Sequence, residues 1–506
     1  MPNYLGLDIG TSNIKTVLYD TDQKQIISSA SRSTPTHYPQ RGYIEHDPHL
    51  LWENVAECIR ETVAEYHVHG MSISSLAEAG LPLDRNMNPL FSIIAWYDTR
   101  SQKQADQFLK KISEEEIFQI TGQKSGFSFG LFKYLWIMEN NKELAKRFAY
   151  WMSVPDYILF KLTGEIYTDY TQASRTLMFD QKKKDWSTVL MHLADLDSHQ
   201  LPVPKASGTV IGGVNQAASY ETGLPLHMPC AVGGHDHLCG AFASGGISTD
   251  KIIDSSGTSQ AIMAFSGTFG ANLQLLKGGY VNYIHVIPDI YIIKGGLKAA
   301  GKAIEWLTAK MNSIEIPDPD KFKNERKNQK INQPVWLPFF HGSGTPNLQP
   351  FDRAALIGVT LQHTGQDLLT ALFEGLAFWL RENVDSLAIL TGQSPASVIA
   401  IGGTNQNKLL LLIKACALNL PIIAPQIPEP CALGAALLAA VGCGTYKDFQ
   451  EAHASLSYPN LYFYPDDHLT SLYSEVYETI YRPLKEALTD VHANLNKIYL
   501  QNEEKL

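Results

Sequence analysis

Several common signatures are missing from this sequence of 506 residues. Its six cysteines include no C-x-x-C pair, which favours free buried thiols over a disulfide framework or a zinc ribbon. There is no long apolar run, and no basic segment followed by an apolar one, so we expect no membrane span, no secretory signal and a cytoplasmic location. The net charge of −10 argues against nucleic acid or an anionic membrane as the main partner.

The chain is too long for a single hydrophobic core, and its length predicts two large domains. Strands alternating with helices indicate an α/β fold with a largely parallel sheet. Ala, Ser and Gly dominate residues 240–250, so we predict a boundary there between lobes 1–246 and 247–506. The polar segment 312–333 is predicted to be a surface loop, and tyrosines at helical spacing from Tyr473 to Tyr481 predict a helical tail packed on the core.

Two similar turns lie half a chain apart. Residues 8–12 read Asp-Ile-Gly-Thr-Ser, residues 255–259 read Ser-Ser-Gly-Thr-Ser, and apolar stretches flank both. Each indicates two short strands joined by a tight turn whose backbone N–H groups a phosphate chain can approach closely. Two such turns suggest two related lobes that grip one nucleotide from opposite sides, which favours phosphoryl transfer. The turn residues that we predict to bind the phosphates are Gly10, Thr11, Ser12, Gly257, Thr258 and Ser259.

Two other glycine-containing segments are candidates to contact the nucleotide. Residues 296–303 nearly spell a P-loop, but Ala303 stands where that motif requires a Ser or Thr for Mg²⁺. We therefore interpret Gly301 as the start of a helix that can still face the nucleotide. Gly402 and Gly403, before another helix, could receive adenine or ribose, although simple strand-to-helix packing is the alternative.

The segment Gly-Gly-His-Asp-His at 233–237 follows a short apolar run. Asp236 is therefore expected where a strand ends, the edge at which α/β proteins place ligands. A carboxylate there can accept the proton that a sugar hydroxyl loses as it attacks phosphorus. Capping of the following helix is the alternative role for Asp236.

The two histidines that flank Asp236 allow another interpretation. Alternation along a strand would point His235 and His237 to the same face, which suits a metal ion. No second cluster with ligand spacing occurs elsewhere in the sequence, so a metal-dependent hydrolase ranks behind phosphoryl transfer. Asp8 and Asp236 together could serve Mg²⁺, which needs only one or two carboxylates beside the phosphates. Alternatively, Asp8 only stabilises its own turn.

These residues resemble those of the FGGY carbohydrate kinases, a family in the actin-like (ribonuclease-H-like) ATPase superfamily. The resemblance runs over nearly the whole chain and consists of short motifs in a specific order. They are residues 7–12, 96–100, 162–164 (followed by Asp169 and 173–174), 234–236, 256–259, 352–354, 374–378, 401–403 and 433–436.

The resemblance implies two actin-like lobes around a central cleft. Members of the family transfer the γ-phosphate of ATP, with Mg²⁺, to a hydroxyl of a sugar or polyol. The resemblance implies that Asp236 is the catalytic base, that the two turns are the phosphate-binding loops, and that Gly402 and Gly403 belong to the adenosine site. Because members are often dimers, a homodimer is a further expectation.

The acceptor-binding residues follow from the same resemblance. In glycerol and xylulose kinases, a substrate-contacting residue lies six positions before an Asp that ends the strand following it. In this chain that Asp is Asp84. The matching residue is Glu78, preceded by Ala77, and we expect both to contact the acceptor together with Asp236 and His237. At the positions of Ala77 and Glu78, glycerol kinases have Arg-Glu and xylulose kinases have Met-His, so this chain matches neither fully.

Two departures from the family pattern bear on the substrate. Where glycerol kinases place a Tyr before a Phe-Ser pair, this chain has Ser128 before Phe129, which argues against glycerol. Where many members carry Gly-Glu-Arg, residues 342–344 are Gly-Ser-Gly, which makes the loop near the nucleotide less charged. Trp96 and Arg100 could touch the substrate, with a structural role for the pair as the alternative.

The sequence therefore predicts an ATP-dependent kinase for a small carbohydrate, with ketoses such as pentuloses favoured over polyols and sugar acids. The runner-up is an ATPase switch or scaffold, since actin and the heat-shock chaperones resemble this superfamily too. Such a protein would hydrolyse ATP slowly without any sugar.

Overall fold

The computed structural model describes residues 2–311, 316–328 and 333–503. Its framework consists of two seven-stranded sheets, one in each half of the chain. In the first half, the strands are β1 (Asn3–Ile9), β2 (Asn13–Asp20), β3 (Gln25–Ser33), β4 (Thr36–His37), β5 (Glu45–His46), β6 (Gly70–Ser75), β7 (Gly80–Leu83), β8 (Ile93–Ile94), β9 (Tyr150–Ser153), β10 (Tyr167–Asp169), β11 (Phe179–Asp180), β12 (Asp185–Trp186), β13 (Val203–Lys205), β14 (Val210–Gly213), β15 (Pro229–Ala231) and β16 (Gly234–His235).

The helices of the first half alternate with these strands. They are α1 (Pro48–Val63), α2 (Gln102–Phe108), α3 (Glu114–Thr121), α4 (Gly130–Asn140), α5 (Lys142–Ala145), α6 (Val154–Thr163), α7 (Tyr170–Ser174), α8 (Thr188–Ala194), α9 (Gln216–Thr222) and α10 (Asp236–Ala243).

The second half contains fewer strands and a longer series of helices. Its strands are β17 (Lys251–Ser256), β18 (Gln260–Ser266), β19 (Val281–Ile284), β20 (Tyr291–Leu297), β21 (Val335–Leu337), β22 (Ala355–Ile357), β23 (Ser397–Ile401), β24 (Ile422–Pro425) and β25 (Asn460–Phe463). Its helices are α11 (Leu273–Gly278), α12 (Gly301–Lys310), α13 (Pro319–Asn328), α14 (Gly365–Thr391), α15 (Lys408–Leu418), α16 (Pro430–Gly442), α17 (Phe449–Ala454), α18 (Asp467–Val476), α19 (Arg482–Ala487) and α20 (Thr489–Glu503).

The two large sheets share one arrangement. In the first, β1 pairs antiparallel with β2 and parallel with β6, and β15 and β16 continue the parallel part. In the second, β17 pairs antiparallel with β18 and parallel with β23, which β24 follows. Each predicted hairpin therefore occupies the same place in its own sheet. The expected α/β architecture with two related lobes is confirmed.

Local sequence accounts for several helix ends. The Asp47 side chain accepts hydrogen bonds from the N–H groups of His49 and Leu50, and Pro48 follows it at the first helical position. Thr364 caps the 27-residue helix α14 through a reciprocal contact with Asp367. Both helices start where this cap chemistry predicts, because the side-chain oxygens satisfy N–H groups that the helix itself leaves unpaired.

Two local expectations need correction. Residues 90–96 look like a strand in sequence, but only Ile93–Ile94 pair as β8. The predicted loop 312–333 contains helix α13, while 312–315 and 329–332 lie outside the described residues. Phe322 is buried and Arg326 forms an ion pair with Glu374 on α14. These tertiary contacts stabilise a helix that the polar composition did not indicate.

The tyrosine stripe of the tail packs as predicted. The rings of Tyr473, Tyr477 and Tyr481 surround Phe378 of α14, with ring centroids between 5.3 and 5.9 Å apart. The stripe is therefore part of the core of the second half. None of the helices formed by the described residues is long and apolar enough to cross a bilayer.

Helices α10 and α16 pack against each other between the two halves of the chain. A Cβ atom on Gly434 of α16 would overlap the carbonyl oxygen of Cys239 on α10. Helix α16 also lies on the first sheet, where a Cβ atom on Gly6 would overlap the carbonyl oxygen of Ala432. A hydrophobic cluster that includes Tyr4, Leu238 and Leu433 continues from this contact into the second sheet. Glycines thus permit a close approach of backbones that joins the two lobes.

We expect Gly6→Ala to destabilise the protein by about 2 kcal/mol, because the added methyl group must displace α16 from the sheet. Alanine would otherwise be tolerated in strand β1, since glycine weakens strand interiors. The matched control is Gly267→Ala, where an added Cβ meets no atom within 4 Å; its effect should stay within about 0.5 kcal/mol. Thermal denaturation of the two variants measures this difference, and equal midpoints would contradict the packing argument.

Candidate active site

The candidate site lies where three neighbouring strands of the first sheet end. Asp8 on β1 is the register partner of Ser74 on β6, and Ser74 is in turn the partner of Gly234 on β16. A Cβ atom on Gly233 would overlap the carbonyl oxygen of Ile73, so glycine is needed for this close pairing. Asp236 follows two residues after Gly234. The strand order therefore brings Asp236 to the same sheet edge as Asp8.

Asp236 is the first residue of α10, and it is held by its neighbours. Its Oδ1 atom accepts a hydrogen bond of 2.6 Å from the His237 N–H and lies 3.1 Å from His235 Nε2. Its Oδ2 atom accepts no hydrogen bond from any described residue. Burial raises the pKa of Asp236 to about 7, and the negative charge of Asp8 adds to this shift. The carboxyl can therefore gain and lose a proton near neutral pH.

Asp8 is the second carboxyl group at this edge. The Ser74 hydroxyl donates a hydrogen bond of 2.8 Å to Asp8 Oδ1. Burial raises the pKa of Asp8 to about 6, although this hydrogen bond and the charge of Lys15 act in the opposite direction. Lys15 itself forms an ion pair of 2.8 Å with Glu429, the residue before α16. The first turn is thus connected to the second half of the chain.

The four predicted acceptor-binding residues line one cavity of about 250 Å³, here called the interlobe cavity. Its wall also contains Thr11 of the first turn and Trp96, whose indole N–H donates a hydrogen bond of 3.0 Å to the Thr11 hydroxyl. The second half of the chain contributes Lys294 from β20. The predicted set is Ala77, Glu78, Asp236 and His237.

Glu78 is held in the cavity wall by an ion pair. Its backbone has φ of +63°, a left-handed conformation that side chains other than glycine rarely adopt. Its Oε1 atom accepts a hydrogen bond of 2.8 Å from Arg175 Nε and a second from Arg175 Nη2. Gln123 accepts another hydrogen bond from Arg175, at 2.8 Å. Glu78 is therefore oriented by Arg175, which the sequence did not single out.

The sequence did not predict two cations of this site, Arg175 and Lys294. Arg175 follows α7, and its position directly after the family-like residues Ala173 and Ser174 was the only signal for it. Lys294 lies within an apolar strand, and nothing in the local pattern distinguishes it. Burial and the charge of Arg175 lower the pKa of Lys294 to about 8, so it remains mostly protonated at pH 7.

Trp96 and Arg100 were both candidates to contact the substrate, but their side chains lie in different surroundings. Trp96 lines the interlobe cavity, whereas the Arg100 guanidinium is buried against Asp98 and Glu45. Arg100 does not line the cavity. Its contacts indicate a structural role, while Trp96 remains available to a ligand.

The predicted nucleotide residues of the second half form a separate cluster. Gly301 at the start of α12 donates a backbone hydrogen bond of 3.0 Å to Gly257, and a Cβ atom on Gly301 would overlap that Gly257 oxygen. Gly402 approaches the Ser256 backbone closely and has φ of +94°. Gly403 begins a short 3₁₀-helix, Gly403–Gln406. Gly301 and Gly402 thus pack closely against the turn, whereas a Cβ atom on Gly257 or Gly403 would meet no atom within 4 Å.

The two predicted turns border neighbouring cavities with wall residues in common. Thr11 lines the interlobe cavity, and Ser259 lines a second cavity of about 400 Å³, here called the adjoining chamber. Both walls contain Arg175, His237 and Lys294. Gly10, Ser12, Gly257 and Thr258 line neither cavity and lie beside the two residues that do. Each turn therefore contributes one residue to one of two cavities whose walls share Arg175, His237 and Lys294.

The His-Asp-His segment does not form the strand that the sequence suggested. Only His235 belongs to β16, because α10 begins at Asp236. Ligand atoms of all three residues nevertheless lie within 4.8 Å of one another. The positive charge of Lys294 lowers the pKa of His237 to about 3. The same positive charge opposes a divalent cation bound to this imidazole, which weakens the hydrolase interpretation.

Comparison with known proteins adds independent evidence. The model of the N-terminal domain of the FGGY family of carbohydrate kinases matches residues 3–243, and that of its C-terminal domain matches residues 254–443. The chain is 28% identical over 493 residues to a xylulose kinase of Staphylococcus xylosus, which covers 95% of this chain and 100% of that protein.

Solved structures share the fold. A xylulose kinase from Rhodospirillum rubrum superposes with a TM-score of 0.86 at 24% identity and covers 97% of this chain and 100% of that one. A gluconate kinase from Lactobacillus acidophilus also gives a TM-score of 0.86, at 22% identity, with coverage of 98% and 99%. The two-lobe actin-like fold expected from the sequence is confirmed.

The raised pKa of Asp236 predicts a pH-dependent effect on stability. A carboxyl group whose pKa is about 7 in the folded state and about 4 when unfolded stabilises the fold below pH 4. That contribution is lost as the pH rises through 7. We therefore expect Asp236→Asn to raise the midpoint of thermal unfolding at pH 8, and to change it much less at pH 4.5.

The matched control is Asp106→Asn, at an exposed position on α2. It should change the midpoint little at either pH. Equal shifts for Asp236→Asn at the two pH values would show that its carboxyl is not held in an unfavourable environment.

Proposed function

Because the chain belongs to the FGGY family of carbohydrate kinases, we propose that it transfers the γ-phosphate of ATP to a hydroxyl of a small carbohydrate, with Asp236 as the general base. The acceptor occupies the interlobe cavity and ATP lies between the two turns. The observation that carries this proposal is the position of Asp236. It lies in a cavity whose wall includes a phosphate turn from one lobe and Lys294 from the other.

The proposed reaction is a single phosphoryl transfer. The acceptor hydroxyl oxygen forms a bond to the γ-phosphorus of ATP, and the bond from that phosphorus to the bridging oxygen of ADP breaks. The hydroxyl proton passes to Asp236 Oδ2, and ADP leaves with the bridging oxygen. A pKa near 7 suits this role, since the carboxyl is ionised in a large fraction of molecules and is still basic enough to take the proton.

Cations of both lobes support the transfer. Lys294 is directed from β20 to the same cavity as Asp236, and it remains protonated near neutral pH. A positive charge there stabilises the negative charge on the transferred phosphoryl group. Arg175 acts differently, because it is already paired with Glu78 and holds that carboxylate toward the sugar hydroxyls.

The donor site is proposed at the turn that Gly257, Gly301 and Gly402 surround. Backbone N–H groups of this turn and of residues 10–12 would bind the triphosphate from both sides. Gly402 and Gly403 would leave room for the adenosine. FGGY kinases use ATP as the phosphate donor, and the uncovered glycine backbone fits that ligand.

The residues present also fit Mg²⁺. Asp8 and Asp236 are oxygen ligands of the kind that this ion prefers, and the charge of Asp8 is one cause of the raised pKa of Asp236. If these two carboxylates held the ion, its positive charge would offset their repulsion. When bound, Mg²⁺ neutralises charge on the phosphates.

We favour a ketose, such as a pentulose, as the acceptor framework. The relative from Staphylococcus xylosus is a xylulose kinase, which supports this class for the present chain. Ser128 in place of a bulky residue argues against glycerol, since it leaves a larger space beside Phe129. A cytoplasmic location and a homodimer stay predictions.

The ATPase switch is the less favoured alternative. A switch without a sugar substrate has no need for a cavity that is lined by Asp236, Glu78 and Trp96. The models of the two carbohydrate-kinase domains match both lobes of this chain. These observations favour transfer to an acceptor over slow hydrolysis of ATP.

The decisive test is ADP formation with and without a panel of ketoses, polyols and sugar acids. ADP release should depend on one class of acceptor and should yield a phosphorylated sugar. Asp236→Asn should lower kcat by about 10²–10⁴-fold because the proton has no acceptor, while nucleotide binding is retained. If the wild type formed ADP at the same rate with and without a sugar, the kinase proposal would be refuted. Normal turnover by Asp236→Asn would refute the role of Asp236 as the base.

The role of Glu78 has its own test. Glu78→Gln should raise KM for the sugar about tenfold, because a charge-assisted hydrogen bond to a hydroxyl becomes a neutral one. KM for ATP should change little. Glu139→Gln is the matched control, since Glu139 is also ion-paired but exposed on the surface. An increase confined to KM for ATP would mean that Glu78 does not contact the acceptor.

A further inference from the structure

The adjoining chamber shares part of its wall with the interlobe cavity but has a different character. The two share Arg175, His237 and Lys294, and the chamber extends from them between the lobes to an exposed rim. Its volume of about 400 Å³ exceeds that of the interlobe cavity, which is about 250 Å³. A substrate whose reacting hydroxyl lies beside Asp236 can therefore extend into a larger space.

The wall of the chamber carries charge of one sign. Its cationic side chains are Lys124, Arg175, Lys294 and Lys298, and no Asp or Glu is among the lining residues. This is notable in a protein whose net charge is −10. A local excess of positive charge in a cleft concentrates anions there.

Half of these cations are not neutralised internally. Arg175 is paired with Glu78, and the charges of Asp236 and Glu78 favour the protonated form of Lys294. The side chains of Lys124 and Lys298 form no ion pair or hydrogen bond with any of the described residues. An anionic ligand would supply the missing partner.

A buried donor in the same wall points to a ligand as well. Gln123 is fully buried, and its Oε1 atom is taken by Arg175. Its Nε2 atom has no hydrogen-bond acceptor in the described part of the chain. A buried N–H group without an acceptor costs free energy. A carboxylate or phosphate oxygen, which only accepts hydrogen bonds, suits such a donor.

The chamber is distinct from the place proposed for the nucleotide. Of the turn residues in the second half, only Ser259 lines it, whereas Gly257, Gly301 and Gly402 do not. Its opposite wall comes from the first lobe, through Gln123, Ser128 and Phe129. Small side chains at Ser128 and Ala261 keep the space between the two walls open.

Resting on the proposed function, we propose that the acceptor is an anionic carbohydrate. Its reacting hydroxyl lies beside Asp236 in the interlobe cavity, and a carboxylate or phosphate at its other end lies in the adjoining chamber. Gln123 contacts this group from the interior, and Lys124 and Lys298 attract it at the rim. A sugar acid and a sugar phosphate share this chemistry.

The test compares acceptors of matched length: a neutral ketose, the corresponding sugar acid and the corresponding ketose phosphate. We expect kcat/KM for one of the two anionic acceptors to exceed that for the neutral sugar by about tenfold or more, which is about 1.4 kcal/mol. Whichever anionic acceptor has the higher kcat/KM shows whether the group bound is a carboxylate or a phosphate. The preference should weaken as ionic strength rises, because the rim charges are screened by salt.

The double variant Lys124→Gln/Lys298→Gln should lower the ratio of kcat/KM for the anionic acceptor to that for the neutral acceptor by about tenfold. Both lysines are exposed, so the variant is expected to fold. The matched control, Lys110→Gln/Lys310→Gln, removes two exposed lysines that line neither cavity and should leave the ratio unchanged.

Each result decides between the two proposals. Preference for the neutral sugar, or an unchanged ratio in the chamber variant, would overturn the anionic acceptor and leave the kinase function intact. Hydrolysis of ATP with no acceptor phosphorylated would overturn the kinase function and this inference with it.

Discussion

The close approach of helices α10 and α16 is the constraint on which the site depends. Asp236 is the first residue of α10, and Glu429 directly precedes α16. The two helices meet backbone to backbone at Gly434, and α16 meets the first sheet at Gly6. Any side chain at these glycines would separate the elements that carry Asp236 and the first turn. The position of the carboxyl group is thus set by packing well away from the cavity.

Electrostatics of the site arise from both lobes. Asp8 and burial disfavour ionisation of Asp236, whereas Lys294, from the second lobe, favours it. A movement of one lobe would change the distance between Asp236 and Lys294, and with it the affinity of the carboxyl for a proton. In the proposed reaction, closure of the cleft would change the pKa of Asp236 and exclude water in the same step.

Much of this could be read from the sequence, since the signals are local. The hairpin turns at residues 10–12 and 257–259, and the caps at Asp47 and Thr364, depend on a few neighbouring residues. The pair Arg175 and Lys294 could not be found in this way. Their roles come from partners that are distant in sequence, such as Glu78, 97 positions away from Arg175. Helix α13 was missed for the same reason, because its stability comes from the contact of Arg326 with Glu374.

By itself, the sequence determined the two-lobe α/β class, the paired turns and the strand-end carboxylate, because backbone geometry and short motifs specify them within a few residues. Only the tertiary structure decided which side chains surround that carboxylate and which charge lines the space beside it. Strand order at the sheet edge brings Asp8 beside Asp236, and lobe packing adds Lys294 and the chamber. Such neighbours depend on contacts over hundreds of residues, which no local pattern encodes.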